Sequence, residues 1–406
     1  MKKTLSQNEK KIYEYLIKVL ASAVNDTKAP MPYEGINWGN LYLCAKLCGV
    51  TAMLANVILK LPEEALPDET VLNKLRKEVG MQILIDSNIT YETEKLLKTF
   101  DKYKIKNLPL KGYFMKKEYP RPDFRSVSDV DILFDVNQID AVKEAFASIG
   151  YEFLHNDDNQ YHFQKKPYMY IEMHATLVHE WEHYYPYLVD QLDRAKKREK
   201  YEFSYEMSIE DYYLYMLVHN SNHLRICGMG IRMMLDTYVF HKKHRDEFDY
   251  DYLNERLKVF KLEKFEEKVR TLAYKWFSSA EPEMKFDDFE NYVLLSATLG
   301  RVEAGVVIGS HKNIIRAENE GRKASKLSYF MKSVCPNKTK MKVNYPYLEK
   351  YPFLLPYTWI CMWCRRFFIE KNVSIKRGVK NRLSYTDEDV NYIKDVLQEV
   401  GFEDFN

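Results

Sequence analysis

The sequence lacks the segments and residues that mark secreted and membrane proteins. Residues Met1 to Glu9 contain no apolar stretch of the signal-peptide type. No uninterrupted apolar run is long enough to span a bilayer. The chain has only 6 cysteines, and their spacing is not that of a disulfide framework. We therefore expect a cytoplasmic protein without a membrane segment.

The chain also lacks a strong excess of charge of either sign. Its formal net charge is +2 and its sequence pI is about 8.0, so no global field demands a nucleic-acid partner. Internal repeats and low-complexity linkers are missing as well. With 406 residues and 46% hydrophobic composition, the chain is long enough for roughly two or three subdomains with cores of their own.

One pair of cysteines, Cys361 and Cys364, has the Cys-x-x-Cys spacing of many zinc sites. The pair lies inside the apolar run from Tyr357 to Cys364, and no second pair stands nearby to complete a metal site. We predict buried free thiols at both positions.

The most informative stretch of the sequence runs from Arg125 to Phe134. Asp129 and Asp131 stand two residues apart among residues that favour a strand. Because residues i and i+2 of a strand point to the same face, the two carboxylates lie side by side. That arrangement costs repulsion unless a cation lies between them. The alternative is that Asp129 only caps a turn.

A second strand-like run, from Tyr168 to His174, carries one acid, Glu172, between hydrophobic residues. Three carboxylates on neighbouring strands make a hard-oxygen site that suits Mg²⁺ or Mn²⁺. The sequence therefore predicts that Asp129, Asp131 and Glu172 are metal ligands.

A short apolar stretch before these acids ends at Lys111 and Gly112, where a helical pattern begins. A glycine at such a junction lets backbone amides approach a phosphate, and the start of a helix favours negative charge. Lys111 adds a positive point charge. The junction is therefore a candidate phosphate-binding loop.

These motifs together resemble the polymerase-β-like nucleotidyltransferase superfamily. The resemblance rests on Leu110-Lys-Gly112, Arg125, Ser128-Asp-Val-Asp-Ile-Leu133 and Ile-Glu-Met-His174, and it is closest to the largely uncharacterised bacterial branch of stand-alone nucleotidyltransferases. It implies that Gly112 lies in the nucleotide-binding loop and that the three acids bind the metal ions.

The resemblance also implies a reaction. A nucleoside monophosphate would pass from an NTP to an acceptor hydroxyl or phosphate, and pyrophosphate would be released. Asp129 and Asp131 would hold two metal ions about 4 Å apart. Glu172 would hold the catalytic metal and take the proton of the acceptor.

We expect an α+β fold with a small mixed β-sheet as the nucleotidyltransferase core. The predicted division of the chain is a helical region at 1–95, the core at 96–205 and a helical domain at 206–406. In the core, a helix between the two acid-bearing strands and a pair of antiparallel strands at 151–163 fit a sheet with helices on one face.

Two helices predicted after the core carry polar residues at i, i+4 spacing. They are His219 and His223 on the first helix and Arg232 and Asp236 on the second. From the residues alone, the histidines are either a satisfied helix–helix contact or metal ligands.

The resemblance adds a third interpretation, a wall of the nucleotide site. In that wall Arg125 and Arg232 offset phosphate charge, and Asp236 orients Arg232 or a histidine. A buried polar network that never meets substrate is the alternative. The residues predicted to bind the nucleotide are Lys111, Gly112, Arg125, Ser128, His219, His223, Arg232 and Asp236.

A competing motif, His179-Glu-Trp-Glu-His183, matches the zinc-peptidase pattern, with Glu180 as the general base. That chemistry needs both histidines on one face of a helix. The preceding strand and the nearby Pro186 leave little room for a helix, so a polar surface beyond the last strand is expected instead.

The sequence leaves the acceptor open. A small molecule, a protein hydroxyl and an RNA 3′ end fit the same core, but the modest net charge favours the first two over a nucleic acid. A second function is a catalytically silent module of the same fold that senses nucleotides or binds a partner. Retention of all three carboxylates argues against that alternative.

Overall fold

The computed structural model describes residues 1–157, 159–167, 169–298, 300, 302–319, 334–338, 341–342, 345–364 and 385–403. Its helices are α1 (Gln7–Asn25), α2 (Trp38–Leu47), α3 (Thr51–Ile58), α4 (Glu69–Lys102), α5 (Lys111–Met115), α6 (Ile139–Ser148), α7 (Tyr185–Leu188), α8 (Gln191–Arg194), α9 (Ile209–Ile226), α10 (Ile231–His244), α11 (Tyr250–Phe260), α12 (Glu263–Phe277), α13 (Asp288–Leu294), α14 (Val302–Asn319), α15 (Leu355–Cys364) and α16 (Asp387–Glu399). The strands are β1 (Asn107–Pro109), β2 (Val130–Phe134), β3 (Glu152–Asp157), β4 (Gln160–Lys165), β5 (Met169–His174), β6 (Lys196–Lys197) and β7 (Tyr205–Glu206).

Local sequence signals explain where the principal helices begin. Helix α1 starts with a capping box, in which Ser6 and Glu9 bond each other's backbone amides. The hydroxyl of Ser208 caps α9 by accepting from the amide of Asp211. The helical pattern after Trp38 is interrupted at Gly49, whose φ of 68° suits glycine, and it forms the two helices α2 and α3.

Five strands form one mixed sheet in the order β1-β2-β5-β4-β3. Strands β2 and β5 are parallel, and the other neighbouring pairs are antiparallel. Strands β6 and β7 form a separate two-stranded sheet. The predicted α+β class, with a small mixed sheet and helical flanks, is confirmed.

Alternation along the two parallel strands separates the core from the functional face. On one face, Val130, Ile132 and Phe134 of β2 join the hydrophobic cluster that includes α4 and α6. Residues Ile171 and Met173 of β5 join the same cluster. The intervening residues therefore point to the opposite face, which looks towards α9 and α10.

A second hydrophobic core joins helices from both ends of the chain. It contains buried residues of α1, α3, α9, α10, α12 and α16. Leu16 and Ile17 of α1 and Ile393 of α16 are fully buried in it. The helices before the sheet and those after it thus share one core, which holds α9 and α10 beside the sheet.

Two further expectations concern apolar segments. Among the described residues, none of the helices has the length and apolar character needed to cross a membrane. Cys361 and Cys364 are free thiols on α15, as predicted. The predicted burial is wrong for both, since Cys361 is only half-buried and Cys364 is exposed, on a different side of the helix from buried Met362.

Candidate metal and nucleotide site

The parallel pairing of β2 and β5 positions two acids side by side. Asp131 and Glu172 are direct partners in the strand register. Asp129 lines the same cleft from the loop just before β2, so it is not part of the strand in which the same-face rule had placed it. Its carboxylate accepts a hydrogen bond of 2.9 Å from the hydroxyl of Ser128. Three carboxylates thus line one cleft, two from neighbouring strands and one from the loop before β2.

Two basic side chains contact the acidic centre. The ammonium of Lys111 donates to Asp131 Oδ1 at 2.8 Å, and Nε2 of His174 lies 2.8 Å from the same oxygen. His174 Nε2 also lies 3.8 Å from Glu172 Oε2. Ligand atoms of Asp131, Glu172 and His174 all lie within 4.8 Å of one another, a spacing that a single metal ion can bridge.

The sequence analysis missed His174, although a signal was present. His174 follows Glu172 by two residues in a strand, so the same-face rule that was applied to the aspartates also places it at the centre. Its imidazole is buried, and burial lowers its pKa although the hydrogen bond to Asp131 acts in the opposite direction. A neutral His174 can donate one hydrogen bond and orient Asp131.

The two paired carboxylates, Asp131 and Glu172, have pKa values that are shifted in opposite directions. Burial opposes ionisation of Asp131, but Lys111 and His174 hold its pKa well below the ordinary range. Burial and then the charges of Asp131 and Asp129 raise the pKa of Glu172 to about 7. Asp131 is therefore a permanent anion, and Glu172 exchanges its proton near neutral pH.

The junction before α5 is a tight turn with a close approach of side chains. Lys111 has a φ of 38°, and its carbonyl accepts a 3.0 Å hydrogen bond from the hydroxyl of Tyr212 on α9. A Cβ at Gly112 would lie 3.2 Å from Nη1 of Arg125 and 3.3 Å from a methyl group of Val127. Glycine therefore lets the turn lie against Arg125, and Tyr212 ties it to α9.

Arg125 forms a buried ion pair with Asp236. Its Nη2 lies 2.9 Å from Oδ2 of Asp236, and its Nε lies 3.1 Å from Oδ1. The hydroxyl of Tyr119 donates to the same carboxylate at 2.7 Å. Asp236 thus orients Arg125, whereas the sequence analysis had assigned its carboxylate to Arg232 or a histidine.

Arg232 is the other arginine of the predicted wall, and its surroundings disfavour its positive charge. Burial and the nearby charge of Arg125 lower its pKa to about 10, although Asp236 acts in the opposite direction. Burial, with the charges of Lys111 and Arg232, also lowers the pKa of His223 to about 4. The histidine is neutral at pH 7, and Arg232 is a cation whose surroundings favour the approach of an anion.

All residues predicted for catalysis or nucleotide binding line one cleft of about 250 Å³. The cleft lies between the functional face of the sheet and helices α9 and α10. Sequence reasoning missed Met115, Tyr212, Tyr215, Met216, Asn220, Met233 and Thr298 in its lining. Asn220 is 2% exposed, and its amide nitrogen has no hydrogen-bond partner within the described part of the chain. Such a buried donor is available to a ligand.

A larger cavity of about 870 Å³ adjoins the cleft. The two share Lys111, Tyr215, His219 and His223 as a common wall. His219 and His223 stack edge to face at 4.5 Å on successive turns of α9. The far side of the cavity contains His179, Trp181, Glu182 and His183, together with Arg225 and Lys312.

The zinc-peptidase alternative does not have the geometry it requires. Residues 179–183 form turns, so the two histidines do not stand on one face of a helix. Nε2 of His183 lies 2.9 Å from the carbonyl of Phe260, and His179 stacks on Trp181 with ring centroids 4.1 Å apart. The segment is a polar wall beyond the last strand of the sheet, as the other interpretation of the sequence predicts.

The fold and the site together define an α+β protein with an acidic centre on a mixed sheet, next to a cleft closed by two helices. A family model for uncharacterised nucleotidyltransferases matches residues 34–278, which is more than half of the chain. The chain belongs to this nucleotidyltransferase family, and membership supports nucleotidyl transfer as the general kind of activity. Comparison with curated proteins gave no match, and comparison with solved structures gave none.

Proposed function

We propose that the protein transfers a nucleoside monophosphate from an NTP to a small acceptor and releases pyrophosphate. The observation that carries the proposal is the register of Asp131 against Glu172, with Asp129 on the same cleft wall. Lys111 and Arg232 line the same cleft and supply positive charge for phosphates. Family membership points in the same direction.

The donor set fits a hard divalent cation. Carboxylate oxygens are the ligands that Mg²⁺ and Mn²⁺ prefer, and Asp129, Asp131 and Glu172 would hold the ion. Burial and then the like charges of Asp131 and Asp129 raise the pKa of Glu172, and a divalent cation would relieve the part that is due to like charges. When bound, the ion supplies charge stabilisation to the phosphoryl oxygens.

The side chains of the chain itself account for the remaining requirements of the reaction. The acceptor oxygen forms a bond to the α-phosphorus, and the bond from that phosphorus to the bridging oxygen breaks. Pyrophosphate leaves with the electron pair, and Glu172 takes the proton of the acceptor. In the metal-free protein its pKa is about 7, and a bound divalent ion would lower it, so the carboxylate would be ionised and able to accept a proton at working pH. Lys111 and Arg232 offset the negative charge of the phosphates.

The larger cavity is the proposed acceptor site. In-line displacement requires the acceptor to approach from the side opposite the leaving pyrophosphate. Lys111 lines both the cleft and the larger cavity. Of the other residues proposed to meet the phosphates, Gly112, Arg125 and Arg232 line the cleft but not the larger cavity. A volume of about 870 Å³ lies within the range of small-molecule sites, roughly 300–1,000 Å³. A small molecule therefore fits the space better than a folded protein.

The charges in this cavity favour an anionic acceptor. Burial and the neighbouring Arg225 lower the pKa of Lys312, because two cations lie close together. Glu182, the carboxylate on the same wall, accepts a hydrogen bond of 2.7 Å from the side-chain amide of Asn222. Trp181, with 76% of its surface exposed, forms a flat platform with His179 at the same cavity. A hydroxyl compound with a phosphate or carboxylate group matches these features.

Pyrophosphate release tests the transfer. The full-length protein is assayed with each of the four NTPs and Mg²⁺ in the presence of glycerol 3-phosphate or glycerol, a matched anionic and neutral pair. We expect release to increase with the anionic compound. Asp131→Asn should reduce the rate by at least roughly 100-fold, because it removes a permanent anion from the centre.

Two results would contradict the proposal. Equal rates for wild type and Asp131→Asn would remove these acids from the chemistry. Thermal stabilisation by NTP and Mg²⁺, without release of pyrophosphate from the NTP in the presence of either hydroxyl compound, would favour the silent nucleotide-binding module instead. The matched control is Glu180→Gln, which changes an exposed acid outside the centre and should leave the rate unchanged.

A further inference from the structure

The hairpin of β3 and β4 carries a second cluster of potential ligands, apart from the nucleotide cleft. His155 and Asp157 are two residues apart on β3, so they share a face. His162 on β4 is the register partner of His155. The imidazoles of His155 and His162 stack with centroids 4.4 Å apart and planes at 20°.

The spacing of these atoms matches a transition-metal site. His155 Nε2 lies 3.2 Å from Asp157 Oδ2, and His162 Nε2 lies 3.7 Å from the same oxygen. One ligand atom from each residue fits within 4.8 Å of the other two. Zinc–ligand bonds of roughly 2.0–2.1 Å in a tetrahedron separate the ligand atoms by about 3.3 Å. The three donors therefore need little movement to bind one ion.

His162 has a buried ring nitrogen that is available to a ligand, an observation independent of the spacing. The residue is 5% exposed, and its Nε2 has no hydrogen-bond partner in the described part of the chain. Burial and the neighbouring His155 lower its pKa, so the ring is neutral. A buried ring nitrogen without a partner loses its interaction with water and gains nothing in return. Here that nitrogen faces Asp157.

The other nitrogen of His162 is already fixed. Nδ1 lies 2.9 Å from the hydroxyl of Tyr170 on β5. When Nδ1 carries the proton and donates to Tyr170, Nε2 presents its lone pair to the cluster. Metal-bound histidines usually have such a hydrogen bond on the second nitrogen, which sets the tautomer and the direction of the ring.

We propose that the hairpin binds a late first-row divalent cation, of which Zn²⁺ is the representative, through His155, Asp157 and His162. Two imidazoles and one carboxylate suit Zn²⁺, whereas the acidic centre, in which carboxylates predominate, suits Mg²⁺. The fourth position opens to solvent, because His155 and Asp157 are exposed. Nδ1 of His162 lies 3.8 Å from Glu172 Oε1, so the ion would fix a ring that adjoins the acidic centre. The inference does not rest on the proposed function.

Zinc titration of the full-length protein tests the site. Metal-free protein is titrated with Zn²⁺ by calorimetry in excess Mg²⁺, on an Asp131→Asn background that weakens zinc binding at the acidic centre. We expect His155→Ala to remove one equivalent of bound zinc relative to that background. Tyr170→Phe should keep the equivalent but weaken it by roughly 10- to 100-fold, because only the orienting hydrogen bond is lost.

His179→Ala is the matched control, since it removes a histidine outside the cluster, and it should retain the full zinc stoichiometry. Cobalt gives a second reading, because Co²⁺ in a site of this kind absorbs visible light and the band should vanish with His155→Ala. Unchanged zinc stoichiometry and affinity in a folded His155→Ala protein would overturn the proposal. His155 is half exposed on its strand, so the variant should fold.

Discussion

The ammonium of Lys111 lies 2.8 Å from the carboxylate of Asp131. Among the residues that line the described cleft, Lys111 is the only one whose backbone is in the left-handed region. This ion pair neutralises part of the charge of the centre in the metal-free protein. Several measurable properties depend on it.

Replacement of Lys111 by methionine should destabilise the metal-free protein. The buried Asp131 would lose its strongest cationic partner, and breaking such a pair costs about 3–5 kcal/mol. We expect a lower melting temperature in EDTA and a partial recovery in Mg²⁺, because a divalent ion supplies the lost charge. Lys102→Met, at an exposed position of α4, is the control. Equal melting temperatures for the two variants in EDTA would contradict this role of Lys111.

The raised pKa of Glu172 predicts opposite pH dependences for stability and metal binding. Its pKa is about 7 in the folded protein and near 4.5 in the unfolded chain. Ionisation therefore lowers the free energy of unfolding as the pH rises from 4.5 to 7, by on the order of 3 kcal/mol. Below pH 4.5 the effect is absent, because the group is protonated in both states.

Glu172→Gln tests both dependences. The variant should raise the melting temperature of metal-free protein at pH 8 and leave it unchanged at pH 4. In wild type, calorimetry should show that Mn²⁺ affinity increases from pH 6 to pH 8, because the ligand must lose its proton. The idea fails if Glu172→Gln retains the same increase in affinity.

Asp236→Asn should reveal the structural part of the predicted wall. The substitution removes the charge that Arg125 contacts with two nitrogens in a buried position. We expect the free energy of unfolding to fall by about 3–5 kcal/mol, since Arg125 would keep an uncompensated charge. Urea unfolding measures this change. A stability within error of wild type would show that Arg125 does not depend on Asp236.

Arg232→Ala should behave differently from Asp236→Asn. Arg125 and burial already disfavour the charge of Arg232, so its removal should leave the melting temperature unchanged or higher. Binding of an NTP with Mg²⁺ should weaken by roughly 10- to 100-fold, the effect of losing a charge-assisted hydrogen bond. Arg76→Ala on the surface of α4 is the control. A large loss of stability with intact NTP affinity would assign Arg232 to a structural network.

The strand positions of the acids followed from the sequence because their geometry is local. The period of two along β2 and β5 determines which residues share a face, and it separates Asp131 and Glu172 from the hydrophobic cluster on the other face. Asp129 lies just outside β2, so its place in the cleft depends on the loop before the strand. The starts of helices can also be located from the sequence where a capping residue marks them, as Ser6 and Ser208 do. The α+β class required only that these local patterns be read in order.

Tertiary partners could not be predicted in the same way. The pairing of Arg125 with Asp236 joins residues 111 positions apart, and no local period relates them. The cleft residues Tyr212 and Tyr215 resemble ordinary core positions on an apolar helix until the position of α9 is known. The ligand cluster on the hairpin depends on which residue of β4 faces His155, which the cross-strand register determines.

The shared core of the terminal helices has a consequence for the order of folding during synthesis. Asn25, at the end of α1, donates to the carbonyl of Phe277, a residue 252 positions later in the chain. At a translation rate of roughly 5–20 residues per second, that partner emerges about 10–50 s after α1. The nascent chain therefore carries the surface of α1 that packs against α12 without its partner for most of its time on the ribosome, although α2 and α3 can pack on the helix earlier. A chaperone that shields this surface should increase the yield of native protein.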